Sequence, residues 1–147
     1  MAAERRARAV WEGTLLEGAG RLSTQSSSVL SDQPVTWSAR TEDPDGMTSP
    51  EELLAAAHAS CYAMAFSASL ARAGTPSERL EVTATCTFDK VGDGWAVTTM
   101  NLHVVGRVPG LDQAGFEEAA RTGEEGCPIS NALRGNVVIN VAAELDT

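Results

Sequence analysis

The segment Ser49-Pro50-Glu51-Glu52-Leu53-Leu54-Ala55-Ala56-Ala57-His58-Ala59-Ser60-Cys61, continuing through Tyr62 and Phe66 to Gly74, decides the fold. Ser49 is a good N-cap, Pro50 suits the first helical position, and Glu52 completes an S-x-x-E capping box. The Ala-rich run behind them has no glycine or proline until Gly74 stops it ahead of Pro76. These signals predict a helix over residues 50–73. Small or apolar side chains lie almost all round it, among them Leu53, Leu54, Ala56, Ala57, Met64, Ala65, Phe66 and Leu70. A helix apolar on every side is a buried one. In a chain of 147 residues, burying so long a helix predicts that a second subunit covers one of its sides.

Outward from the helix the pattern changes period. Residues 6–16 alternate, with Ala7, Ala9 and Trp11 one way and Arg6, Arg8 and Glu12 the other, which predicts a half-buried strand. Gly18-Ala19-Gly20 reads as a turn, Leu22–Val29 as the returning strand and Val35–Arg40 as a third, ending in a polar turn at Thr41–Thr48. Beyond the helix, Leu80–Phe88 alternates with Val82, Ala84, Cys86 and Phe88 on one face. Gly92-Asp93-Gly94 signals a hairpin into Trp95–Val108. Leu111–Glu125 reads as an amphipathic helix ended by Gly126, Pro128–Leu133 as a short helical piece, and Asn136–Leu145 as a final strand. The order β-β-β-α-β-β-α-β describes a single α+β domain over residues 1–147.

Composition narrows the function. The net charge of −9 and a pI near 4.6 argue against a groove that neutralises phosphates, so no nucleic-acid partner is expected. No uninterrupted apolar run reaches the roughly 18 residues that span a bilayer, so no membrane is expected either. The basic start Met1–Arg8 is followed by Ala9-Val10-Trp11-Glu12 where a signal peptide would carry a long apolar core, which predicts a cytoplasmic protein. Cys61, Cys86 and Cys127 are far apart and odd in number, which excludes a disulfide scaffold and the usual zinc spacings and leaves thiol chemistry open.

Each candidate has a bland reading beside the chemical one. Free cysteine is among the most buried residue types, and Cys86, on a face with Val82 and Ala84, is expected to be core packing. Cys127 sits between Gly126 and Pro128 at the N-cap of the short helix, where amides and the dipole favour a thiolate; alternatively it fills a gap under the turn. Glu51 at the second helical position is favoured by the dipole, and Arg40 is by default a solvated charge. Glu51 and Cys61 lie ten residues apart, roughly 15 Å along a helix and about 80° out of phase, so within one helix they cannot touch. His58, three residues before Cys61, suggests either a Cys–His hydrolase or a packed histidine with one hydrogen bond; His103 lies in a strand. No spacing supplies a metal site.

Two segments carry a family resemblance. Ser49 to Cys61, quoted above, resembles the first cysteine motif of the OsmC/Ohr family, and Gly126-Cys127-Pro128-Ile129-Ser130-Asn131-Ala132-Leu133 resembles the second, the two cysteines standing 66 positions apart. Trp11-Glu12-Gly13 and Ser23-Thr24 are similar to its opening hairpin. Ala57-His58-Ala59-Ser60-Cys61 and Asp89-Lys90-Val91 are closer to the OsmC branch than to the organic hydroperoxide resistance branch. The resemblance implies an intertwined homodimer in which antiparallel sheets wrap a long buried central helix. It implies a thiol-dependent peroxidase that reduces organic hydroperoxides in oxidative and osmotic stress defence, served by a dithiol reductant such as a lipoyl-type one, with no cofactor and no metal. Cys61 then matches the peroxidatic cysteine, Cys127 the resolving one, and Glu51 the glutamate that positions an arginine. Arg40 matches the OsmC-branch arginine, with Arg21 of the opening hairpin as its rival. The alternative is a non-catalytic stress-associated binding domain whose cysteines are structural.

Overall fold

The Ser49 hydroxyl accepts a hydrogen bond from the Glu52 amide at 3.1 Å, so half of the capping box forms. The Glu52 carboxylate leaves the other half open and accepts instead from the Thr48 hydroxyl at 2.7 Å. The long helix ends where Gly74 takes φ +86°, a left-handed conformation that glycine adopts without a side-chain penalty. In the computed structural model, which describes all 147 residues, the order is β1 (Ala7–Glu12), β2 (Ala19–Thr24), β3 (Gln33–Val35), α1 (Trp37–Thr41), α2 (Pro50–Arg72), β4 (Arg79–Val91), β5 (Gly94–Arg107), α3 (Gln113–Glu125), α4 (Pro128–Leu133) and β6 (Val138–Leu145). The chain divides into two compact units, residues 1–53 and 54–147.

In the first unit, β1, β2 and β3 form an antiparallel sheet in that order. The turn predicted at Gly18–Gly20 lies earlier, between Glu12 and Ala19, because Gly20 already belongs to β2. A Cβ on Gly20 would come within 2.7 Å of the Trp11 ring and 2.9 Å of Val35; this glycine is a contact requirement, not a turn signal. The third strand is also shorter than predicted. Thr36 turns the chain into α1 by accepting from the Ala39 amide at 3.1 Å, so Arg40 lies in a helical turn rather than at a strand end.

In the second unit the sheet order is β4-β5-β6. β4 and β5 are antiparallel, as expected of a hairpin, but β6 lies parallel to β5. The expectation of purely antiparallel sheets fails here because α3 and α4 separate the two strands, and a crossover of that length is what a parallel pair needs. The inner face of the sheet contributes Met100, Leu102 and Val104 to a core completed by Tyr62, Phe66 and Leu70 of α2 and Phe116 and Ala120 of α3. Cys86 packs against this core, half-buried. Phe88 instead stacks on Trp95 at 5.1 Å, beyond a register shift at Thr87/Phe88.

Within one chain α2 is buried on one side only. His58, Tyr62, Phe66 and Leu70 are fully enclosed, whereas Ala56, Ala57, Ser60, Met64, Ser67 and Ala68 are exposed. By length and composition α2 would pass as a membrane span, with a mean hydropathy of 1.4. Counting unbroken apolar residues missed this because His58, Ser60, Ser67 and Ser69 interrupt the run. The core helix of a folded domain satisfies the same criterion, and the enclosed face is used in that way.

The approach of α3 to α2 is close at Gly123, where a Cβ would fall 2.8 Å from Phe66 Cδ2 and 3.1 Å from Phe66 Cα. Gly123→Ala is expected to destabilise the fold by about 1–2 kcal/mol, the overpacking outweighing the roughly 1 kcal/mol that alanine gains inside a helix. A urea midpoint that falls with unchanged slope would report it; a raised midpoint would show that the contact relaxes freely.

Candidate active site

Cys61 sits midway along α2, and Cys127 stands at the N-cap of α4 with Pro128 in the first helical position. Both are free thiols; Cys127 is fully buried and Cys61 is partly open. The Cys127 thiol is close enough to Cys61 to act on its ionisation. Burial pushes the Cys61 thiol above its ordinary range, and the neighbouring Cys127 thiol pushes the same way. The opposing influence is the Ile129 amide, which donates to the Cys61 sulfur. Here the sequence expectation is corrected: an amide from the first turn of α4 serves Cys61, and the Cys127 side chain makes no capping bond. A thiolate accepts such a bond more strongly than a thiol, so the amide favours the nucleophilic form.

A polar cluster surrounds the two thiols. His58 Nε2 lies 2.7 Å from Ser130 Oγ, both side chains fully buried. Its Nδ1 has no partner, so neither ring nitrogen engages Cys61 and there is no Cys–His dyad of the hydrolase kind. Burial lowers the His58 pKa, against a smaller opposing pull from Glu124. Glu124 is itself buried and receives Arg134 Nη2 at 3.0 Å. The Tyr62 hydroxyl donates to the Ala120 carbonyl at 2.8 Å; burial, with Glu124 and Cys127 nearby, pushes its phenol well above the ordinary range.

In the first unit Arg40 and Glu51 form a two-point pair. Arg40 Nε lies 3.0 and 3.1 Å from the two carboxylate oxygens and Nη2 lies 2.7 Å from Oε1. The Trp37 ring lies 5.8 Å below the guanidinium carbon. Glu51 keeps 9% of its side-chain exposure and Arg40 31%. Beside the pair is a cavity of about 200 Å³, walled by Trp11, Leu15, Val35, Trp37 and Pro50 and carrying Arg40. Arg21 does not join: its Nη1 donates to the Asp32 carbonyl at 3.0 Å, in a larger and more polar recess on β1 and β2.

Reading the sequence left out Ser130, Glu124, Arg134, Trp37 and the Ile129 amide. Ser130 had a visible signal, since it follows Cys127 by the same three residues that separate His58 from Cys61. The ion pair and the stacked tryptophan had none, because their partners come from other elements.

Two segments that bring neighbouring thiols together, a long helix and a short one opened by Cys127, beside a crossover sheet, define a thiol-bearing α+β fold. The chain belongs to the OsmC-like protein family, whose model matches residues 43–142. It is 37% identical over 140 residues to peroxiredoxin OsmC of Escherichia coli (strain K12), covering 95% of this chain and 96% of that one. It is 29% identical over 96 residues to the organic hydroperoxide resistance protein of Xanthomonas axonopodis pv. citri (strain 306), covering 64% and 65% of the two chains. Among solved structures, the organic hydroperoxide resistance protein OhrB of Bacillus subtilis superposes with a TM-score of 0.72 at 22% identity, covering 95% of this chain and 98% of that one. That likeness establishes the fold: an α+β arrangement of two sheets and a central helix.

Proposed function

We propose that the chain is a thiol-dependent peroxidase that reduces organic hydroperoxides to alcohols, with Cys61 as nucleophile and Cys127 as resolving thiol. The observation that carries this reading is the approach of two reduced thiols, one partly open and one buried, at the start of α4. The names of the Escherichia coli and Xanthomonas relatives, a peroxiredoxin and an organic hydroperoxide resistance protein, support it. In the first step the Cys61 sulfur takes the terminal oxygen of the hydroperoxide, becoming a sulfenic acid as the alcohol leaves. In the second, Cys127 displaces water from that sulfur and a disulfide forms, which keeps Cys61 from irreversible oxidation. A dithiol reductant reopens the bond.

Cys61 needs a cation, since burial holds its thiol up. Arg40 suits the task, because a guanidinium stays charged and forks between a carboxylate and a second partner. Gripped by Glu51, it is tied to a helix position roughly 15 Å along the axis from Cys61. The reading therefore places the Arg40–Glu51 pair of a second copy at each Cys61, in a homodimer that also covers the exposed Ala, Ser and Met face of α2. The cavity beside Arg40 would hold the organic part of the substrate.

One equivalent of cumene hydroperoxide per chain is expected to lower the free thiols from three, the number in the sequence, to one, leaving Cys86. Loss of a single thiol would remove Cys127 from the mechanism, and an unchanged count would refute the peroxidase.

A further inference from the structure

We infer that the buried His58–Ser130 hydrogen bond is a positioning strut for the resolving step: it holds α4 in the place from which Cys127 can reach the oxidised Cys61. The inference rests on the peroxidase reading and deepens it. His58 precedes Cys61 by three residues on α2, and Ser130 follows Cys127 by three residues on the turn that opens α4. Side chains three apart on a helix share a face. The same two segments are thus joined by side chains twice, about one helical turn apart, beside the Ile129 amide bond to Cys61. One rung is the thiol pair; the other is the 2.7 Å bond between His58 Nε2 and Ser130 Oγ.

The short helix cannot place itself. α4 has six residues, and isolated helices of that length are unstable in water, so its position is set by tertiary contacts. Of its residues only Ser130 is fully buried; the preceding Cys127 is buried too, and Pro128, Asn131 and Ala132 face outward. Cys127 is the group that must move during the reaction, because a disulfide requires the two Cβ atoms at about 3.5–4.5 Å with a restricted dihedral angle. While Cys127 rearranges, Ser130 is the remaining buried anchor. The second tether, Arg134 to Glu124, joins the end of α4 to α3, so the side-chain hydrogen bond between α4 and α2 is the one from Ser130 to His58. His58 Nδ1 has no partner, although the ring is fully enclosed. A histidine there with half of its hydrogen-bonding capacity unmet is not explained by core packing, for which an apolar side chain would serve better.

The step served is balanced as written: the Cys61 sulfenic acid and the Cys127 thiol give one disulfide and one water. A hydroperoxide has already supplied the oxidising equivalent and left as the alcohol. When Cys127 is displaced, a second hydroperoxide competes for the same sulfur and takes it to the sulfinic acid.

The test uses Ser130→Ala, His58→Leu, the double variant and His58→Gln, which keeps an amide donor near the Nε2 position. The first measurement involves no peroxide. Each folded protein is equilibrated with oxidised and reduced glutathione, where one glutathione disulfide and the protein dithiol exchange for the protein disulfide and two glutathione thiols. The ratio at equilibrium gives the effective concentration of Cys127 at Cys61. Ser130→Ala, His58→Leu and the double variant are expected to lower it about tenfold, the effect of losing one buried hydrogen bond, with His58→Gln close to the parent. The second measurement is intact mass after excess cumene hydroperoxide, where the first three variants should carry Cys61 sulfinic acid and the parent and His58→Gln mostly disulfide.

If Ser130→Ala and the double variant keep the parent effective concentration and the parent product ratio, the strut is refuted. The double variant leaves no unpaired partner, so it keeps the test open should a single variant fail to fold. If the parent forms the disulfide in glutathione but leaves cumene hydroperoxide untouched, the peroxidase reading falls while the glutathione result still decides the strut.

Discussion

Cys61→Ser is expected to consume cumene hydroperoxide no faster than the dithiol does alone. The effect is total because two requirements fail together. A serine hydroxyl is not ionised near neutral pH, whereas a thiol can be brought to its thiolate by a neighbouring cation and an amide donor. Sulfur can also take up the transferred oxygen as a stable sulfenic acid, a state that an alcohol oxygen does not have. The amide that the structure directs at the Cys61 sulfur, from Ile129, would then have no anion to receive it. Cys86→Ser serves as the control. Its side chain packs against the core, opposite Met100 in the β4–β5 register, so peroxide consumption should persist. A Cys61→Ser protein as active as the parent would remove Cys61 from the chemistry.

The second large effect is expected at Arg40. Arg40→Ala should slow peroxide reduction by about a hundredfold or more, the usual cost of deleting a group aimed at developing or resting negative charge. Arg21→Ala should change it far less, because that guanidinium is committed to the Asp32 carbonyl. Lysine should restore little, since one ammonium cannot reproduce the contacts made by Nε and Nη2 on the Glu51 carboxylate. The pH profile gives a readout that loss of stability would not. Burial raises the Cys61 thiol, so without the cation the thiolate forms only at higher pH. The residual rate of Arg40→Ala should then climb with pH over a range where the parent is already flat. Equal losses at Arg40 and Arg21, or a larger loss at Arg21, would reassign the arginine.

What could be read from the sequence was local. Ser49, Pro50 and Gly74 punctuate α2, and Gly126 with Pro128 punctuates α4, because caps and breakers act within a few residues of themselves. The alternation in β4 was visible for the same reason. Thr36 was missed: Trp37-Ser38-Ala39-Arg40 carries an alternation as short as a strand's, and a single threonine hydroxyl on the Ala39 amide was enough to make it a turn of helix. The parallel pairing of β6 was hidden because it depends on a partner 39 residues away at Thr99↔Val138. The site divided along the same line. The candidates Glu51, Cys61 and Cys127 stand inside the two motifs, and Arg40 inside Trp37-Ser38-Ala39-Arg40. Of the meetings between groups, the resemblance implied only that Glu51 positions an arginine, as it does Arg40. His58 meeting Ser130 and the Ile129 amide serving Cys61 are products of packing that no local pattern announces.

The parallel β6 also sets an order of assembly. Its strand completes a sheet whose other two members, β4 and β5, are joined by a tight hairpin and can pair as soon as they exist. The crossover carrying Cys127 is anchored at its far end only when residues 138–145 dock along β5. Sequence-distant pairings form late, since the entropy of closing the loop must be offset before the contact can contribute. On the ribosome, Cys61 is therefore synthesised, and the β4–β5 hairpin that follows it paired, well before Cys127 is fixed in place. The encounter of the two thiols is a closing event of folding, and a half-made chain carries Cys61 without its neighbour.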